Sequence, residues 1–357
     1  MLEDAIAGWD GRAVVCRYDA PARAWIFLAI HDTTLGPAVG GTRMRFYPSP
    51  ADALADAMRL AEAMTDKWAV LDLPFGGGKC VIAPDEPLEP EAREGLFQRY
   101  GVLLESLRGA FHSGVDVGVS PADMAVVGRA TRHVHGVDFT DGSTIDPGPY
   151  TARGVLHAIE ASLELAFGNP DLAGRTVLVQ GVGDVGRPLS KLLARANSRV
   201  LVSDVDAGRA ERVAAEVGGR SVPADDALRT PCDVFAPCAI GGILDEASVE
   251  GLRCRIVAGS ANAQLADPIV ADRLYQRGIV YAPDFVANGG GAAALGLIAL
   301  GEDESAALRK VDGIGETVRA ILREAAATGE SPLAGARRIV ERRLSGRARS
   351  AAGSVPA

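Results

Sequence analysis

Thr176-Val-Leu-Val-Gln180-Gly181-Val-Gly183-Asp184-Val185-Gly186 places an apolar run directly before three glycines spaced G-x-G-x-x-G. The run reads as a buried strand, and the residues from Gly186 onward, with Leu189 and Leu193 one turn apart, read as a helix. That context makes the glycines informative. The first permits a tight turn, the second lets a pyrophosphate approach backbone N–H groups at the helix start, and the third packs helix on strand. A second strand, Arg199-Val-Leu-Val-Ser203, ends at Asp204, 18 residues past Gly186. A carboxylate there accepts hydrogen bonds from an adenosine ribose and repels a 2′-phosphate, so the expected cofactor is NAD.

Further apolar runs at 233–236, 255–258 and 279–282 can extend the same parallel sheet. A long helix is expected over 305–327, its stripe of Leu308, Val311, Ile314, Val318 and Ile321 being core. Upstream, residues 136–149 turn rich in Asp, Gly, Ser and Pro, which marks a junction. Before it, Ser49 can cap and Pro50 can open a helix with Leu54, Met58, Ala61 and Met64 on one face, ending near Lys67. Residues 68–73 then read as a strand, Gly76-Gly77-Gly78 as a loop, and 80–83 as a strand again. The expected organisation is α/β with two domains separated by a cleft: an N-terminal α/β substrate and catalytic domain over 1–142, and a Rossmann dinucleotide-binding domain over 143–330. A C-terminal helix and tail occupy 331–357, where the Arg-rich stretch 337–349 reads as a solvated helix face and frayed end.

Composition excludes other classes. At about 150 residues per domain, 357 residues suit two domains. Apolar residues make up 48% and charged residues 23%, as in ordinary globular chains. The net charge of −9 and pI near 5.2 argue against nucleic acid and anionic membranes as partners. Five cysteines without a CxxC pair, and an acidic start lacking a basic, apolar leader, fit reduced thiols in the cytoplasm. The uncharged stretch between Asp284 and Glu302 is too short and glycine-rich to span a membrane and reads as buried loop and helix. No metal site is expected: His133 and His135 do not converge on a helix, and HExxH and Cys/His clusters are absent from the sequence. Cys232 and Cys238 read as core thiols, and the lack of GxSxG removes a hydrolase elbow.

Lys67 and Lys79 flank the expected short strand, Lys79 directly after three glycines that leave room for a small ligand. Two ammonium groups facing one pocket suit a carboxylate substrate, and crowding favours the neutral form of the more enclosed one, making it a base. Spacing alone is equally consistent with surface lysines. Asp116, in Ser113-Gly114-Val-Asp-Val-Gly118, is either a proton-relaying carboxylate or a turn aspartate bonded to its own backbone.

Taken together, Leu35-Gly-Pro-Ala-Val39-Gly40-Gly41-Thr-Arg43, Ala63-Met64-Thr-Asp-Lys67, Leu73-Pro-Phe-Gly-Gly-Gly-Lys79, Val115-Asp-Val-Gly118, the glycine-rich 181–186 segment, Pro231-Cys-Asp-Val-Phe-Ala-Pro-Cys238, Gly259-Ser-Ala-Asn262 and Pro283-Asp-Phe-Val-Ala-Asn288 resemble, in order and over nearly the whole chain, the leucine/phenylalanine/valine dehydrogenases of the Glu/Leu/Phe/Val superfamily. The resemblance implies reversible oxidative deamination of an L-amino acid with NAD, giving a 2-oxo acid, ammonia and NADH. It implies that Lys67 binds the substrate carboxylate, with Gly40, Gly41 and Met64 around it, that Lys79 is the general base, and that Asp116 moves protons. It further implies cofactor contacts from Thr151, Gly181, Gly183, Asp184, Val185, Gly186, Asp204, Cys238, Ala239 and Asn262, the last also near the substrate, and a homo-oligomer.

Where glutamate dehydrogenases carry a lysine before the Gly-Gly pair, this chain has Val39, which disfavours an acidic side chain. The other pocket positions implied are Gly114, Ala292 and Leu295; Gly114 with Ala292 is closest to the phenylalanine enzymes. The expected substrate is thus phenylalanine-type, with leucine or valine as the alternative. The chain departs from the family's pattern at Gly148, Ala263 and Gly289, which leaves an imine reductase or a non-catalytic NAD-binding regulator on the same fold open.

Overall fold

The computed structural model describes residues 6–352, with side chains to residue 347. Residues 1–5 of the acidic start, the Arg349 side chain and the tail beyond 352 lie outside the described residues. The chain divides into two units, Met1–Asp146 with Val340–Ala357, and Pro147–Ile339.

In the first unit, β1 (Ala13–Asp19), β2 (Ala24–Asp32), β3 (Ala38–Val39), β4 (Thr42–Met44), β5 (Gly76–Pro84) and β6 (Phe111–His112) form one sheet in the order β1-β2-β5-β3-β6, with β4 also paired to β5. β1, β2 and β5 run antiparallel, whereas β3 and β4 run parallel to β5. Side chains alternate across the sheet with period two. Cys80 and Ile82, with Ile26 and Leu28, pack on Leu96, Phe97, Tyr100 and Leu104 of the helix Pro90–Ser106. Val81 and Ala83, with Phe27 and Ala29, pack on Leu54, Ala57, Met58 and Ala61 of the helix Pro50–Leu71. Each large aliphatic or aromatic side chain so buried contributes about 1.5–3 kcal/mol of transfer free energy. Odd positions of β5 therefore face the helix Pro50–Leu71, and Lys79 is one of them.

Three expectations change here. The helix opened by Ser49 and Pro50 does not end near Lys67 but runs to Leu71, so residues 68–73 are not a strand. A short apolar run does not distinguish strand from buried helix. Here the last turn is held by tertiary contacts: Trp68 to Leu71 are buried, Trp68 Nε1 donates to the Val39 carbonyl, Arg343 donates from the C-terminal helix Pro332–Ala352 to the Ala69 and Val70 carbonyls, and Asp72 ends the helix in the left-handed region at φ 55°. Gly76-Gly77-Gly78 is not a loop either, but the start of the fully buried β5. Its glycines serve close packing: a Cβ on Gly77 would collide with Thr65 and the Ala61 carbonyl, and one on Gly78 would lie 2.7 Å from the Phe111 ring. Lys67 and Lys79 consequently do not flank a strand, because one is on a helix and the other on the strand that the helix covers.

In the second unit, β7 (Thr176–Gln180), β8 (Arg199–Ser203), β9 (Arg220–Ser221), β10 (Val234–Pro237), β11 (Ile256–Val257) and β12 (Val280–Tyr281) form an all-parallel sheet in the order β12-β11-β10-β7-β8-β9. The order reverses at β7, giving the doubly wound Rossmann arrangement with its switch point between β7 and β10. The long helix expected over 305–327 is two, Glu304–Asp312 and Ile314–Thr328, interrupted at Gly313. Of the expected stripe, Val311, Ile314, Val318 and Ile321 are buried and Leu308 is half-buried. Between Asp284 and Glu302 lie two short helices, Asp284–Ala287 and Gly290–Ala299, with largely buried side chains. No helix among the described residues is long and apolar enough to cross a membrane.

Two predictions follow from the packing of the first unit. Gly77→Ala forces the helix Pro50–Leu71 off β5 and is expected to cost about 2–4 kcal/mol, read as a lowered thermal midpoint; an unchanged midpoint contradicts the close approach. His135 is buried edge-on to Phe75 at 5.5 Å, and burial, helped by His112, pushes its ring down to about 3. The native value is below that of the unfolded chain, so this stability is fully present above about pH 6.5 and is lost as pH falls from there towards 3. His135→Gln is therefore expected to flatten the fall of Tm between pH 7 and pH 4 relative to the unsubstituted protein. Parallel slopes for the two proteins contradict the buried neutral ring.

Candidate active site

In the first unit, the odd-position rule sends Lys79 to the helix-covered face of the sheet, where its side chain is 7% exposed. Its Nζ lies 2.9 Å from Oδ2 of Asp116, and Arg43 Nε, from β4, donates to the same oxygen at 3.0 Å. Gly41 makes this approach possible, since a Cβ there would collide with the Val115 carbonyl and lie 3.0 Å from Asp116 Cβ. Burial pushes the Asp116 carboxyl up, but the charges of Lys79 and Arg43 and the hydrogen bond from Lys79 outweigh it and hold it far below the usual carboxylate range. Asp116 is thus not a turn aspartate bonded only to its own backbone. It is a half-buried carboxylate shared by two cations.

Arg43 is held in turn. Its Nη1 lies 3.2 Å from Oδ2 of Asp56, which also accepts from the Tyr47 hydroxyl at 2.7 Å, while Arg59 donates to the other Asp56 oxygen at 2.6 Å. Neither Arg43 nor Asp56 was assigned from sequence, although the Gly-Gly-Thr-Arg43 segment is part of the motif. The available signal was an arginine pair, Arg43 and Arg45, in an otherwise uncharged run from 33 to 51.

Lys67 and Met64 are half-buried near the end of the helix Pro50–Leu71, on the same side of the sheet as Lys79. Gly40 packs directly on the Gly78 carbonyl, and Val39 is buried, its carbonyl accepting from Trp68 Nε1 at 2.9 Å. Gly114 is buried yet spacious: a Cβ there would meet only His135, at 3.7 and 3.9 Å.

In the second unit, the glycine-rich segment forms the expected turn. Gly181 adopts φ +89°, and a Cβ on it would lie 2.6 Å from Ala239, in the loop after β10. Gly186 packs on the Gly181 carbonyl and opens the helix Gly186–Arg195, whereas nothing lies within 4 Å of a Cβ on Gly183. This open space at the start of a helix, at the sheet's switch point, fits a dinucleotide pyrophosphate; Asp184 and Val185 lie in the same turn, and Cys238 follows β10, its N–H donating to the Gln180 carbonyl. Asp204 follows β8 and accepts from the backbone N–H of Val182 at 2.9 Å and of Asp206 at 3.0 Å, with Arg209 at 3.6 Å. Thr151 donates to the Pro147 carbonyl at 3.0 Å and accepts from Gly291 N at 3.1 Å, which ties it to the helix carrying Ala292 and Leu295. Asn262 is exposed, and its Oδ1 accepts from Asn288 Nδ2 at 2.7 Å. The next residue, Ala263, sits at φ +49°, where an alanine costs about 1–2 kcal/mol. Among the described residues no group of three His, Cys, Asp or Glu could hold a metal ion.

Residues 21–133 match the Glu/Leu/Phe/Val dehydrogenase dimerisation domain, and residues 204–300 match Glutamate/Leucine/Phenylalanine/Valine dehydrogenase. The chain is 37% identical over 341 residues to leucine dehydrogenase from Thermoactinomyces intermedius, covering 96% of this chain and 93% of that one. It is 37% identical over 304 residues to phenylalanine dehydrogenase from Lysinibacillus sphaericus, covering 84% and 79%. The crystal structure of L-tryptophan dehydrogenase from Nostoc punctiforme superposes with a TM-score of 0.81 at 34% identity, covering 97% of this chain and 99% of that one. On its two-unit α/β fold and on these matches, the chain belongs to the Glu/Leu/Phe/Val dehydrogenase family of amino-acid dehydrogenases.

Proposed function

We propose that the protein is an NAD-dependent dehydrogenase that reversibly converts an apolar L-amino acid and water to the 2-oxo acid and ammonia, favouring a phenylalanine-type side chain. The observation that carries this reading is the Lys79–Asp116 pair on the sheet face covered by the helix bearing Lys67. A protein that only binds the dinucleotide, or regulates through it, has no use for two cations and a carboxylate buried on its other unit.

The chemistry assigns the roles. Lys67 binds the substrate carboxylate. Lys79 takes a proton from the substrate ammonium, because the hydrogen on Cα can leave as hydride only when the nitrogen lone pair is free to form the C=N bond. NAD, when bound, supplies the hydride acceptor. Asp116 then takes a proton from the water that adds to the iminium carbon and passes it to the nitrogen; as the C–N bond breaks it accepts the carbinolamine hydroxyl proton, so that ammonia leaves and the C=O of the 2-oxo acid forms. Asp204 favours NAD over its 2′-phosphorylated form, and Arg209 is already paired with that carboxylate. We place the enzyme in the cytoplasm as a homo-oligomer acting on small molecules, with neither nucleic acid nor membrane as partner.

The room beside Gly114 and the small Ala292 favour an aromatic substrate, and the tryptophan and phenylalanine dehydrogenases among the relatives are consistent with that. Leucine dehydrogenases at 35–37% identity support the second reading, a branched-chain substrate. The deciding experiment is NADH formation with Phe, Trp, Leu, Val and Glu in turn. The expected ranking by kcat/KM puts Phe or Trp first and Glu last, and Gly114→Ala shifts the ratio towards Leu by about tenfold, since a methyl group is worth about 1–3 kcal/mol. A preference above tenfold for Leu or Val in the unsubstituted enzyme overturns the aromatic reading. Turnover with none of the amino acids, by protein that binds NAD, overturns the dehydrogenase.

A further inference from the structure

We propose that Arg43 is a positioning residue for the reaction: held from behind by Asp56 and Tyr47, it fixes the Asp116 carboxylate independently of Lys79. This rests on the reading of Lys79 as the base that exchanges a proton with the substrate nitrogen.

Lys79 and Arg43 approach the same oxygen, Oδ2 of Asp116, at 2.9 and 3.0 Å. A buried carboxylate with a lysine as its sole cation faces a conflict during turnover. The ammonium must lose its proton to act as a base, and doing so strands the carboxylate without a partner, which is costly at a buried site. A guanidinium does not lose its proton in this range, so Arg43 keeps the carboxylate paired in both states of the lysine. It also fixes its position, because Arg43 reaches Asp116 through Nε and Asp56 through Nη1, from opposite ends of one planar group. Asp56 is itself anchored by Tyr47 and Arg59, and Arg45 lies over the Tyr47 ring at 4.9 Å. The groups facing Asp116 are thus Lys79 from β5, Arg43 from β4 and the Val117 N–H; those facing Arg43 are Asp116, Asp56 and Tyr47. The remaining side of β4 is pinned as well: Thr42, next to Arg43, lies 2.7 Å from the buried Tyr100 hydroxyl and 2.6 Å from that of Ser113.

The test compares Arg43→Gln, Arg43→Lys and Asp56→Asn with the unsubstituted full-length enzyme, by kcat and KM across pH and by NMR titration of the Asp116 carboxyl. In Arg43→Gln the lysine is the carboxylate's remaining cation and gives up its proton less readily. The acid limb of kcat/KM is expected to move up by about one pH unit, kcat to fall about 10–100-fold and KM for the amino acid to change less than about threefold. Asp56→Asn moves the limb the same way by less, and Arg43→Lys recovers part of the loss. An unmoved acid limb, or a loss confined to Tm or KM, overturns the proposal. If the unsubstituted protein binds NAD but oxidises no amino acid, the dehydrogenase reading fails by itself. The titration still decides on Arg43: its effect on Asp116 is upheld if the carboxyl midpoint rises in Arg43→Gln and refuted if it does not.

Discussion

One oxygen atom, Oδ2 of Asp116, organises the first unit's chemistry, because Lys79 and Arg43 both converge on it where the Asp116 side chain is only 14% exposed. Burying a carboxylate is tolerated only when charge and hydrogen bonds replace its hydration. Much of the local sequence is shaped by that requirement. Arg43 and Lys79 reach the oxygen because β4 and β5 are parallel neighbours, and Gly41 lets the Asp116 segment approach. The glycines at the start of β5 let the helix Pro50–Leu71 lie close over the strand, bringing Met64 and Lys67 to the same side of the sheet.

The second unit solves a different problem with the opposite device. A dinucleotide presents phosphates that need backbone N–H groups, so the glycine-rich turn after β7 leaves a space instead of filling one. Gly181 and Gly186 are glycine because neighbouring backbone presses against them, while Gly183 is glycine beside open space. Asp204 braces the turn through the Val182 N–H, linking cofactor preference to loop geometry in a single carboxylate.

The Rossmann half was legible in the sequence because its signals are local: strand, glycine turn, helix and acidic strand end lie within about thirty residues. The first half was less so. Residues 68–73 do not form the expected strand because helix and strand are equally compatible with a short apolar run, and what distinguishes them is packing against distant parts of the chain, such as the Trp68 bond to the Val39 carbonyl and the Arg343 bond to the Ala69 carbonyl. Gly76 to Gly78 were misread because a glycine needed for packing looks the same as one needed for a turn. Lys79 and Asp116 could be singled out from their motifs, yet their pairing, and Arg43 with its Asp56 support, depend on strand register, which spacing does not reveal. Ala263 at positive φ gives a physical meaning to one departure from the family's pattern, since alanine adopts that conformation only at a cost.

The central claim is that in the resting protein, with no substrate bound, Asp116 is an ionised carboxylate held between two cations. Carbon-detected NMR of the aspartate side chains, followed from pH 7 down to the acid limit of the folded state, tests it most directly. The account predicts that the Asp116 carboxyl signal stays at its ionised position throughout that range. A midpoint within the ordinary carboxylate range, near pH 4, would contradict it.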